Sequence, residues 1–465
     1  MAATVLEPQK KKTRLMTEGS IWKSILLFSV PLILGNLLQQ LYNTADSIIV
    51  GNFVGSNALA AVGSSGSPIF LLIGFSQGIA VGAGVVVAQY LGAKDREDAQ
   101  RAVHTALALA VLLGLILTIG GILVSRALLT AMDTPAEVLE DAVTYMQIYF
   151  GGVLFSVVYN MAAGILNAAG NSQRSLLYLG IASGTNILLD LVLIAGLRMG
   201  VAGAAIATDI SQLVSCALAL RFLMRVQDDY RVTAREIRVH GKMAVRIIKV
   251  GLPTGIQNMV ISLSNILVQA GVNGYGAAAM AGFAAYMKVD GFNILPIMSF
   301  SMAATTFVGQ NFGAQKYDRI RQSVWVCMGM SVALTGAMSA LVIAFRPVIL
   351  GIYTTDPAVI RLGVYVMAWT VPFNVLFMPV EVFAGAMRGT GYSVVPTVIT
   401  CMCVCVFRVV WIFTVVRTWH RIELLAVCYP LSWLLAATVF AIVYFRGGWL
   451  RRRIAQCGME PEVRV

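Results

Sequence analysis

Histidine is nearly absent from this chain, three in 465 residues, and Asp, Glu, Lys and Arg together make up only 12% of it. So little histidine leaves no HExxH helix, no Ser/His/Asp set and no ligand cluster with zinc spacing, and no phosphate-cradling glycine loop occurs. An enzyme, an ATPase and a bound cofactor are therefore not expected. The seven cysteines (Cys216, Cys327, Cys401, Cys403, Cys405, Cys428 and Cys457) contain no CxxC and fall mostly inside apolar runs, which argues against a disulfide framework or a metal site. Cys401, Cys403 and Cys405 fan around a helix as small packing residues. Residues 1–19 are basic but have no apolar core ending at a cleavage site, so they read as a cytoplasmic tail and not as a signal peptide.

What the chain does have is hydrophobic sequence, 58% of its residues, with mean hydropathy +0.79. Lipid leaves an open sheet edge without partners, and the apolar runs are about 20 residues long. The expected class is an all-α polytopic membrane protein with about twelve transmembrane helices. They are placed at 20–50, 57–91, 101–125, 139–166, 173–196, 201–223, 243–271, 278–311, 321–345, 359–386, 393–416 and 424–446. The formal charge of +12 sits in alternate loops, which explains it by orientation and not by nucleic acid. One set holds Lys10, Lys11, Lys12 and Arg14, then Lys94 with Arg96 and Arg101, the linker after Arg221, Lys316 with Arg319, Arg388, and Arg451 to Arg453. The other set is poor in charge or acidic. Both termini are then cytoplasmic, and an even number of crossings follows.

The two halves repeat. Pro31 matches Pro253, YLGAKDRED matches NFGAQKYDR, DTPAEV matches TDPAVI and GILNAAGNS matches GAMRGTGYS, all at a shift of about 221 or 222 residues. The organisation expected is a tail at 1–19, an N-lobe at 20–223, a cytoplasmic linker at 224–242, a C-lobe at 243–446 and a tail at 447–465. Two six-helix lobes in parallel orientation place a substrate between them and rock about it.

Charge inside such spans is costly and marks function by default. In the first span, PLILGNLLQQLYNTADSIIVG, the residues Asn36, Gln39, Asn43 and Asp46 form one helical stripe, with Tyr42 a turn before the acid. In the fifth span Asn186 and Asp190 are a turn apart; in the sixth Thr208 and Gln212 are likewise, with Asp209 rotated by about 100 degrees. Counted from the outer loops, Asp46, Asp190 and Thr208 share a depth of roughly 8–12 Å. Two carboxylates, an amide and a hydroxyl at one depth can hold a small cation or a proton. Glu381 and Arg408 in the second half read as a structural pair or as substrate contacts. Lys288 and Asp290, two residues apart, point apart; they border a cavity, or Lys288 pairs with an acid across it. The methionines Met367, Met378, Met387 and Met402 read as adaptable walls or as core.

On these stretches, with GAGVVVAQYLGAKD, GVAGAAIATDISQ and FVGQNFGAQ, the chain resembles a bacterial member of the multidrug and toxic compound extrusion (MATE) family from about residue 21 to 445. The resemblance implies two six-helix lobes and a central cavity. It also implies export of amphipathic, often cationic compounds against H+ or Na+ across the bacterial inner membrane, by a monomer with lipid as its surroundings. Position by position, it carries the first-helix acid onto Asp46, the fifth-helix Asn and Asp onto Asn186 and Asp190, and the sixth-helix hydroxyl onto Thr208. Gln39, Tyr42, Asn43, Asp209, Gln212, Lys288, Asp290, Glu381 and Arg408 are candidates for the cavity wall. Some relatives place a cation site in the second lobe, on acids of the seventh and tenth helices; here the seventh span has no acid. The alternative on the same scaffold is a flippase for lipid-linked or isoprenoid precursors.

Overall fold

In lipid, helices gain nothing by hiding apolar surface from one another, so close association depends on small residues that let backbones touch. This chain, with 43 glycines, is built on that constraint. The computed structural model describes residues 15–354, 356–419 and 421–458. Lys10, Lys11, Lys12 and Arg14 of the expected tail lie outside them.

Twelve long helical rods follow one another: α1 (Ile21–Phe53), α2 (Ser56–Gly92), α3 (Arg96–Ala131), α4 (Ala136–Ala168), α5 (Ser172–Gly196) and α6 (Gly200–Arg225). After a linker come α7 (Gly241–Asn273), α8 (Ala277–Gly313), α9 (Tyr317–Gly351), α10 (Pro357–Gly389), α11 (Val394–Trp419) and α12 (Ile422–Arg446). Eleven are long and apolar enough to cross a membrane; α7 is as long but carries Lys242, Arg246, Lys249, Gln257 and Asn258. Three rods are interrupted. In α5 and α11 wide π turns run over Leu191–Gly196, Cys401–Val406 and Ile412–Val416. In α10 a 3-10 stretch spans Val371–Leu376, where Pro372 supplies no N–H.

The centre of the bundle is α2. A Cβ added at Gly78 meets the Gly255 backbone at 2.2 Å, at Gly82 the Gly251 Cα at 2.5 Å, and at Gly92 the Gln310 carbonyl at 1.9 Å. The first two contacts press α2 on α7 and the third presses it on α8. A Cβ at Gly313 meets the Gln89 carbonyl at 1.8 Å, so the α2–α8 crossing is reciprocal. The repeat reappears in the turns that follow these helices, where Lys94 and Gln315 both take left-handed backbone (φ 58° in each).

Two segments expected as tails pack on the bundle. Met16 and Thr17 are buried, and residues 447–465 include an eight-residue helix, α13 (Trp449–Gln456), whose Trp449, Leu450 and Ile454 are buried. Both ends of the described chain lie at one end of the bundle: Met16 at Gln310, and Arg453 with its Nε on the Thr390 carbonyl at 2.9 Å. The linker is tied to α3 as well, its Thr233 N–H reaching His104 Nε2 at 2.9 Å.

If backbone contact at the α2–α8 crossing holds the halves together, Gly92→Leu lowers stability by roughly 1–3 kcal/mol through overpacking. Gly120→Leu, where an added Cβ meets nothing within 4 Å, leaves it unchanged. Thermal unfolding in detergent, followed by size-exclusion elution, compares the two.

Candidate functional site

Helices α1 and α5 meet through glycines. A Cβ at Gly35 lies 3.5 Å from Leu179, and one at Gly180 lies 3.8 Å from Leu38, so each helix offers a groove to the other's leucine. A Cβ added at Gly203 of α6 would in turn lie 3.3 Å from the Leu193 backbone, in the π turn of α5. This packing sets four polar residues of three helices against one another. The Asp46 and Asp190 carboxyls are within hydrogen-bonding range of each other. Asn186 Nδ2 stands 3.5 Å from Thr208 Oγ1. Asn186 and Asp190 are fully buried, while Asp46 and Thr208 are half-buried.

The oxygens here outnumber the donors. Asp46 Oδ1, Asn186 Oδ1 and both carboxylate oxygens of Asp190 are buried with no donor among the described residues. Two carboxylates side by side repel when both are ionised, and a buried acceptor without a partner costs about 1–3 kcal/mol, more when charged. A proton shared by the pair, or a small cation bound to both, removes both costs. The site therefore has the chemistry of a cation receptor, with α1, α5 and α6 each supplying part.

The stripe expected on α1 divides. Asn36 Nδ2 turns to Ser299 Oγ of α8 at 3.2 Å, Gln39 and Asn43 are exposed, and only Asp46 joins the acid pair. Gln212 is half-buried one turn beyond Thr208. Asp209 turns instead to α4, where its carboxyl meets the Gly152 backbone; a Cβ added at Gly152 falls 2.1 Å from Asp209 Cγ. Sequence reasoning missed the α4 wall. Tyr145 lies in electrostatic range of Asp46 and Asp209 and is stacked on Tyr149 at 6.3 Å. The signal was present: Tyr145, Tyr149, Gly152, Ser156 and Tyr159 follow heptad spacing along one face of α4.

The second half holds different chemistry, and it corrects two expectations. Glu381 does not pair with Arg408; its Oε2 accepts from Ser301 Oγ at 3.0 Å and from Arg388 Nη2 at 3.4 Å. The physical reason is spacing: Arg388 lies two turns along the same helix, so this residue, expected in a loop, is buried against Glu381. Arg408 lies 4.2 Å over the Tyr429 ring, near Trp433, and donates through Nε to Ser432 at 3.0 Å. Lys288 forms no ion pair among the described residues; it is exposed, 5.8 Å from the Tyr353 ring. Asp290 is buried on the opposite side of α8 and accepts from Asn374 Nδ2 at 2.9 Å. Met367, Met378 and Met387 are fully buried core, whereas Met402 is exposed.

The family model described as MatE matches residues 31–192 and again 253–414. The chain belongs to the MATE family. The double match begins at Pro31 and Pro253, the first landmark of the internal repeat. Among MATE-type relatives, it is 29% identical over 455 residues to the probable multidrug resistance protein YoeA of Bacillus subtilis, covering 96% of this chain and 97% of that one. To the multidrug export protein MepA of Staphylococcus aureus it is 24% identical over 376 residues, 80% of this chain and 83% of that one. Among solved structures, an outward-facing multidrug resistance MATE family transporter of the MOP superfamily superposes with TM-score 0.87 at 26% identity, covering 97% of this chain and 99% of that one. A MOP superfamily transporter from Pyrococcus furiosus superposes with TM-score 0.89 at 25% identity, covering 97% and 100%. The MATE fold and the multi-pass membrane placement follow.

The fit between Asp209 and α4 is testable by a double-variant cycle. Gly152→Ala drives a methyl into the carboxyl and costs roughly 1–3 kcal/mol of stability. Adding Asp209→Ala, which deletes the colliding atoms, restores part of that loss, so the two substitutions are non-additive in thermal unfolding.

Proposed function

We propose that this MATE protein is a cation-coupled antiporter that exports amphipathic, cationic compounds from a bacterial cell. The observation carrying this reading is the Asp46–Asp190 pair, buried in the bundle with donor-poor oxygens from Asn186 and a hydroxyl from Thr208. A proton or sodium ion bound there joins α1 to α5. With the ion gone, the two carboxylates repel and are available to a cationic compound. One site that takes either the ion or the compound gives competition, and competition across two states gives exchange.

The moving bodies in this reading are the two halves, 20–223 and 243–446, joined by the linker at 224–242 and opening alternately about the α2–α7 and α2–α8 contacts. In this reading the end carrying Met16 and Arg453 faces the cytoplasm, which the distribution of basic loops supports. The names of the relatives YoeA and MepA, both multidrug proteins, support a drug-like cargo. Charge favours such cargo over a lipid-linked phosphate: the buried basic residues among those described, Arg388 and Arg408, both lie in the second half, while Asp46, Asp190 and Asp209 gather in the first. In this reading Tyr42 and Tyr145 supply the aromatic wall beside the acids.

The test is ethidium efflux from cells and from proteoliposomes under imposed proton and sodium gradients, applied separately. Asp46→Asn is expected to insert normally and to export at the level of empty vesicles, and Asp190→Asn to lose roughly 5–150-fold. Efflux that survives Asp46→Asn at the parental rate, or that ignores both gradients, contradicts the proposal.

A further inference from the structure

Residues 15–20, just before α1, dock on the second half. They run along the ends of α8 and α9 and are recognised there through their backbone. Met16 N–H donates to Gln310 Oε1 at 2.7 Å. The Met16 carbonyl accepts from Asn311 Nδ2 at 3.4 Å and from Arg319 Nη2 at 3.2 Å. Thr17 O takes Lys316 Nζ at 2.9 Å, and Gly19 O takes Arg319 Nη1 at 3.0 Å. The Met16 side chain enters a cluster with Phe307, Phe312 and Tyr317. A short turn-and-bend segment held by its carbonyls in a basic cleft is a bound peptide that happens to be covalently attached.

Its position gives the attachment a consequence. The segment is continuous with α1 of the first half, while the cleft belongs to the second. Gln310, fully buried, also donates through Nε2 to the Ala168 carbonyl at the end of α4, 2.7 Å away. The Gln310 backbone is in turn the surface against which Gly92 of α2 closes the crossing. One amide thus ties the segment, the first half and the second half at a single point, where the two halves are in backbone contact. The halves cannot part at this end while that point holds.

We propose that residues 15–20 are a latch, seated in the Gln310, Asn311, Lys316 and Arg319 cleft while this end is closed and leaving it each time the end opens. The inference rests on the alternating-access reading above. It adds that opening exposes Met16, and that the Gln310 carboxamide sets how readily it does so.

The experiment uses the full chain in proteoliposomes, its seven native cysteines replaced and Met16→Cys introduced, with a membrane-impermeant maleimide and ethidium efflux read on the same vesicles. At rest the position is shielded, since Met16 is 5% exposed. Labelling is expected to rise about tenfold during gradient-driven efflux and to stay low when Asp46→Asn is added. Gln310→Ala, which deletes both the acceptor for Met16 N–H and the donor to Ala168, is expected to raise resting labelling by at least about tenfold, the shift that follows from losing the one hydrogen bond to the segment. Normal efflux with labelling unchanged in both comparisons overturns the latch and leaves the antiport reading standing. Absent efflux in the protein carrying native Met16 overturns that reading, and the latch with it.

Discussion

A carboxylate in the apolar interior of a membrane protein is tolerable only if something neutralises it, and Asp46 and Asp190 are set against each other with no basic side chain among the described residues hydrogen-bonded to the buried oxygens. Much of the first half can be understood as the frame for that arrangement. The paired glycines Gly35 and Gly180 bring α1 and α5 together, the π turn after Asp190 gives α6 a place to dock, and α4 closes the fourth side with tyrosines. Packing alone would be better served by leucines at these positions, since a buried ion pair or acid rarely stabilises a fold. On the antiport reading, the acids are kept for the ion they bind.

The two halves share a scaffold and have divided the chemistry. Where the first half leaves its acids short of partners, the second supplies them: Asp290 has Asn374, Glu381 has Ser301 and Arg388, and Arg408 has Ser432 and two aromatic faces. An acid that has its donors is held in place, and an acid without them responds to an ion. On this reading the first half senses the coupling ion and the second half acts as the body it moves against, with α2 as the shared bearing.

The hydropathy pattern made the helices legible because span length and lipid solvation are properties of short windows. The repeat was legible because the glycines of turns and the prolines within helices, such as Pro31 and Pro253, keep their spacing. The acid pair was legible from depth alone, since membrane thickness is a ruler that soluble proteins lack. What stayed hidden depends on which face of a rod meets which neighbour. Arg388 looked like an orientation signal because it precedes a glycine turn, yet the helix carries it back toward Glu381. Arg408 looked like the natural partner of that acid because only charge was weighed, and the aromatic faces of Tyr429 and Trp433 were not. Tyr145 and Tyr149 carry no charge and were not singled out, although their heptad spacing with Gly152 pointed at one shared wall. The seating of residues 15–20 followed from no periodicity, since it is read through main-chain atoms.

Competition between ion and compound at one site is the claim on which the account stands, and equilibrium binding tests it without transport. The affinity of the purified protein for ethidium should be measured against pH and, separately, against sodium concentration, in the parent chain and in Asp190→Asn. The account predicts that binding weakens as protons or sodium ions are added and that Asp190→Asn flattens this dependence. Affinity that is indifferent to both ions in the parent chain, or that strengthens with them, contradicts it.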